Sequence, residues 1–148
     1  MKITRFEDIE SWQLARELTK FIYNAVKERA FSKDYGLRDQ ICRASLSVMS
    51  NIAEGFNSGS NREFARFLSY GQRSCAEVQS QLYVALDQKY IVKDDFHQIY
   101  ELAAKTSSKI GAFIKYLKKS PKNKKGLRPG QDTHQEQRTK NKERGTKH

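Results

Sequence analysis

From Asp8 to about Ala30, apolar residues recur at Ile9, Trp12, Ala15, Leu18, Ile22 and Val26, and Leu14, Phe21 and Ala25 widen the stripe. Steps of three and four residues put these side chains on one face of an α-helix. The Phe31 to Gly36 stretch carries turn residues and breaks the pattern. A second stripe then runs through Leu37, Ile41, Ala44, Val48 and Ile52, flanked by Cys42, Leu46, Met49 and Ala53. Gly55 is placed as a left-handed C-cap, and Asn57 to Ser60 has loop composition. Ser60 or Asn61 can cap a third helix, whose stripe is Phe64, Leu68, Gly71, Cys75, Val78, Leu82 and Ala85. After a short connection from Gln88 to Lys93, Asp94 can cap a fourth, carrying Phe96, Ile99, Ala103, Thr106, Ile110, Phe113 and Leu117.

Helices of roughly 20 to 27 residues joined by short links favour antiparallel neighbours, so the fold expected for residues 1–120 is an all-α, up-down-up-down four-helix bundle. Residues 121–148 have Leu127 as their one strongly apolar side chain and are expected to form a disordered basic tail.

Charge changes this picture in one respect. Of the formal +11, the tail holds nine Lys/Arg against three Asp/Glu, leaving 19 against 14 for the body. A surplus of this kind attracts polyanions by counterion release. The tail lacks the RGG repeats, interleaved aromatics or amphipathic stripe that would make such contact specific. Met1 to Asp8 has no apolar core of a signal peptide, and no run approaches the roughly 18 apolar residues of a spanning helix, so a cytoplasmic protein without membrane contact is expected. Cys42 and Cys75 have no zinc or redox spacing and fall on apolar faces as free thiols, and His97, His134 and His148 are isolated from one another. No metal or other cofactor is implied.

A line of polar residues within the second helix is harder to explain as plain bundle: Gln40, Arg43, Ser47, Asn51 and Glu54. In a hairpin turning near residue 58, facing positions on the second and third helices sum to about 116 or 117. Arg43 then meets Arg73 or Ser74, Gln40 approaches Glu77, Ser47 approaches Tyr70, and Asn51 and Glu54 approach Arg66 and Arg62. A partly buried Arg43 would be held by Glu77 and Gln40. The stripe reads either as a structural polar network of Gln40, Arg43, Ser47, Asn51, Glu54, Ser74 and Glu77, or as a nucleic-acid or protein contact. It has two carboxylates but no histidine, activated nucleophile or glycine-rich phosphate cradle, so no catalytic residue is assigned and an enzyme is not expected.

The run from Gln40 to Phe56, with Asn51-Ile52-Ala53-Glu54-Gly55 at its centre, resembles the signature of the four-helix-bundle proteins encoded in intervening sequences of bacterial 23S ribosomal RNA genes. Further matches are Phe6 to Trp12, Glu63 to Leu68, and Ser74, Glu77, Gln81 and Leu82, together spanning residue 6 to about 117. The chain departs from the pattern at Arg73, where the family usually has glycine, and this adds a positive charge. The resemblance implies a ring-like homopentamer. Through the related accessory variability proteins of diversity-generating retroelements, it also implies RNA and a reverse transcriptase as partners.

The leading expectation is therefore a non-enzymatic, oligomeric RNA-binding accessory protein, an adaptor in a ribonucleoprotein or with a reverse transcriptase. Its contacts would be Arg38, Arg43, Arg62, Arg66, Arg73, Lys115, Lys118 and Lys119. The competing expectation is a protein-interaction scaffold without a nucleic-acid role, using Tyr70, Tyr83, Tyr90 and Tyr100.

Overall fold

Each apolar stripe becomes the buried face of a helix. The computed structural model describes residues 3–119; the expected tail lies outside the described residues. A short 3-10 turn, Phe6–Asp8, leads into α1 (Glu10–Ala25). There follow α2 (Arg29–Lys33), α3 (Tyr35–Phe56), α4 (Asn61–Asp87) and α5 (Lys93–Lys119). The four long helices pack in a ring, with α4 between α3 and α5, and α1 closing the opposite side against the same two.

The first break is more helical than its composition suggests. α1 stops at Ala25, short of the expected end near Ala30, and α2 takes in Arg29 and Ala30 with the first half of the expected Phe31 to Gly36 turn, capped by Glu28, which accepts a hydrogen bond from the Phe31 amide. Phe31 plugs this end of the core and stacks on Tyr90 at 5.1 Å between ring centroids. Asp34 then caps α3, accepting from the Leu37 amide with one oxygen and from the Tyr90 hydroxyl with the other. Gly36, expected in the turn, lies inside α3.

Gly55 is also not a cap. α3 continues through it to Phe56, and Gly55 instead lies against Phe64 and Phe67 of α4. A Cβ at Gly55 would sit 2.7 Å from Phe64 Cδ1 and 2.9 Å from Phe67 Cβ. Of the two expected caps it is Ser60 that caps α4, accepting from the Glu63 amide, with Asn61 the first helical residue. Asp94 is one residue inside α5 rather than its cap, and with Asp95 it places negative charge in the first turn, where the helix dipole favours it.

The core forms two clusters. Leu18, Ile22, Ile41, Val78, Leu82 and Ile99 are among those filling one end, and Val48, Ile52, Phe64, Leu68, Ile110 and Leu117 fill the other. Fully burying one such side chain contributes about 1.5–3 kcal/mol. Polar bridges tie neighbouring helices together: Thr19 donates to the Ser45 carbonyl across α1 and α3, and Gln72 donates to the Ser107 carbonyl across α4 and α5. Among the described residues no helix is long and apolar enough to cross a membrane.

Candidate nucleic-acid interface

The polar line of α3 does face α4, but in a different register. Ser74 donates to Ser47 Oγ at 2.8 Å, Gln81 donates to Gln40 at 3.4 Å, and Phe56 meets Phe64. Facing positions thus sum to 120 or 121, about one helical turn from the expected 116 or 117. The reason is that the first turn of α4 projects past the end of α3, so residues 61–63 lie beside the connection rather than beside the helix.

This register divides the expected network. Asn51 donates to both the carbonyl and the hydroxyl of Ser47, so Ser47, Asn51 and Ser74 are brought together, while Gln40 pairs separately with Gln81 about two turns away. Arg43, Glu54 and Glu77 are exposed and take no part. The expected clamp of Arg43 by Glu77 and Gln40 is not formed, because Arg43 lies on the solvent margin of α3 where water hydrates its charge. Sequence reasoning overlooked Gln81 as a partner of Gln40 because it assumed the earlier register.

The cations are distributed differently. Arg62, Arg66 and Arg73 are exposed on the outward face of α4, at steps of four and seven residues that keep them in one row. Arg66 and Arg73 flank the ring of Tyr70, with guanidinium carbons 5.8 and 5.4 Å from its centroid, and Phe67 meets the same ring edge-on. Tyr70 therefore spaces the arginines by cation–π contact. The carboxylate nearest this row in an ion pair is that of Glu63, 3.9 Å from Arg66 with both groups well hydrated, a pairing of little energetic weight.

Lys115, Lys118 and Lys119 occupy the exposed surface of the last turns of α5. Because α4 and α5 are antiparallel, these turns lie beside the start of α4. Lys118 joins Arg62 and Arg66 around an open groove of about 460 Å³ between the two helices. Asn61, 2% exposed, also lines it. Arg38 is separate: it bonds to Asp39 and the Ser32 carbonyl and lies over Tyr35, which anchors it near the start of α3 at the far end of the bundle. Arg43 belongs to neither group.

Of the tyrosines expected on an interaction surface, Tyr90 is engaged internally with Asp34 and Phe31, and that hydrogen bond raises its phenol pKa. Tyr83 and Tyr100 pack with Phe96 across α4 and α5, with Tyr83 half exposed. Among the described residues no cluster of His, Cys, Asp or Glu has the arrangement of a metal site.

The model of the 23S rRNA-intervening sequence proteins matches residues 7–112, which includes the α3–α4 seam and the arginine row. The chain belongs to this family. A crystal structure of a protein of unknown function from the S23 ribosomal protein family of Bacteroides thetaiotaomicron is similar in fold, with a TM-score of 0.66 at 20% identity. The match covers 71% of this chain and 95% of that one. No curated protein matches. For a 23S rRNA-intervening sequence protein, the shared region is thus the helical body. Lys115, Lys118 and Lys119 lie beyond the matched residues, whereas Arg62, Arg66 and Arg73 lie within them.

Proposed function

We propose that this protein is a non-enzymatic RNA-binding accessory protein whose body engages the phosphate backbone through Arg62, Arg66 and Arg73 on α4 and Lys115, Lys118 and Lys119 on α5. The observation that carries this reading is the arginine row: three guanidinium groups on one outward helix face, two of them flanking Tyr70, and none with a strong carboxylate partner. Weakly paired, hydrated cations in a line suit a polyanion, whose binding releases condensed counterions. The +5 body and +6 tail supply a long-range field of the same sign. Homo-oligomeric assembly, as a pentamer, and a reverse transcriptase partner extend this reading on the strength of family resemblance alone.

The test is a salt series of RNA binding by the full chain and by the Arg62→Ala/Arg66→Ala/Arg73→Ala variant, with mass in solution measured in parallel. The wild-type affinity should fall steeply with salt, and the variant's log–log slope should be shallower by about two to three, since each neutralised phosphate contributes roughly 0.7 to 0.9. A flat salt response, or an unchanged slope in the variant, would favour the scaffold, with the half-exposed Tyr83 and neighbouring Val84 as the surface to mutate next.

A further inference from the structure

The groove between the start of α4 and the end of α5 contains chemistry that a phosphate backbone alone does not require. Its cations, Arg62, Arg66 and Lys118, stand above an apolar wall of Ala65, Ile114 and Leu117. Beside that wall is the side chain of Asn61, whose Nδ2 and Oδ1 are both buried and without a partner among the described residues. A backbone phosphodiester offers acceptors only. It could satisfy Nδ2 and would leave Oδ1 orphaned, and it has no use for an apolar wall. A ligand suited to all three features carries an anion, a flat apolar face, and an edge that both donates and accepts.

We propose that the groove is a subsite for one unpaired nucleotide of an RNA strand. Its phosphate lies on Arg62, Arg66 and Lys118, its base rests on Ala65, Ile114 and Leu117, and the polar edge of the base turns to the Asn61 amide. This rests on the RNA-binding reading and goes beyond it by requiring a single strand. In a duplex the base edges are paired and stacked and cannot enter a side pocket. A volume of about 460 Å³ falls in the range of small-ligand pockets and admits one nucleotide rather than a helix. The positive end of the α4 dipole, at Asn61, favours the phosphate. The chain's own residues 121–148 are poor occupants, because they carry nine Lys/Arg against three Asp/Glu, the same sign as its rim.

The test follows the Asn61 side-chain amide of the full chain by NMR during titration with AMP, inorganic phosphate, a short single-stranded RNA and the corresponding duplex. The resonance should move saturably with AMP and with the single strand. Phosphate should move it less than AMP does at matched concentration, and duplex should leave it in place. Ser69→Trp, which fills the groove from its half-buried rim without removing a charge, should abolish the movement, weaken single-strand binding about tenfold and leave duplex binding unchanged. If Ser69→Trp does not fold, Lys118→Gln should weaken the AMP-induced movement in the same assay. A single strand that binds while the Asn61 resonance stays still overturns the subsite but not the RNA reading. Phosphate that displaces AMP as effectively as AMP itself reduces the groove to an anion site and also overturns it. If no RNA binds but AMP still saturates the resonance, both the RNA reading and the assignment to a strand fail, and the ligand is a free nucleotide.

Discussion

Gly55 and Cys75 show how much a single buried position constrains the bundle. At Gly55 any side chain would have to displace the Phe64 ring and the Phe67 Cβ, neither of which is a flexible side-chain end. Gly55→Ala should therefore destabilise the protein by about 1–3 kcal/mol through overpacking, seen as a lowered midpoint of thermal or urea unfolding. Cys75 is fully buried, and burial pushes its thiol from 9.0 up to about 12. The folded state thus holds a proton that the unfolded chain releases above about pH 9. Stability should decline as pH rises between about 9 and 12, and Cys75→Ala should flatten that decline once its own loss of packing is subtracted. Cys42 is half-buried, and burial is also the leading cause of its raised thiol pKa, so both thiols should react slowly with alkylating reagents until the chain unfolds.

At the scale of elements, the helix ends carry information that the stripes do not. α4 ends in a Schellman motif: the Tyr90 amide donates to the Ala85 carbonyl and the Lys89 amide to that of Leu86, with Lys89 at φ 62°. A non-glycine residue in the left-handed region is strained by roughly 1–2 kcal/mol. Lys89→Gly should relieve this strain and raise the unfolding midpoint by an amount corresponding to as much as about 1 kcal/mol, the greater flexibility of glycine in the unfolded chain taking back the remainder. The same loop positions Tyr90 over Phe31 and against Asp34, so that one connection closes one end of the core. Four helical stripes were legible because a 3.6-residue period appears directly in the order of residues. The ends were less so, because Gly55 has the composition of a cap and the role of a contact point. What distinguishes the two is the distance to Phe64, on another helix.

Across the whole molecule, charge separates from stability. The arginine row and the lysines of α5 lie on the outer surface, while the core and the Ser47–Ser74 seam are built without charged groups. Arg43 tests the separation. It is exposed and outside the seam, so Arg43→Ala should change stability by no more than about 0.5 kcal/mol in a denaturant titration. A larger loss would mean that Arg43 is buried in an assembly of several copies, and the mass of the variant in solution would then change as well. On the proposed RNA-binding role, deleting residues 121–148 should lower RNA affinity by removing nine of the cations, while a salt dependence assigned to Arg62, Arg66 and Arg73 should persist.

The sequence alone determined that the protein is a bundle, which residues line its core, that α4 begins at Ser60 or Asn61, and that its body and tail are both basic. All of these follow from local periodicity, capping chemistry and charge, which need no knowledge of neighbouring helices. Only the tertiary structure decided the pairing of α3 with α4, and with it the membership of the polar seam. A shift of one turn replaces the partner of every facing residue while leaving each helix's own stripe intact. It likewise decided that Asn61 and Lys118, far apart in the chain, meet across one groove. Their proximity depends on the antiparallel approach of α4 and α5, a long-range contact that no spacing within either helix encodes.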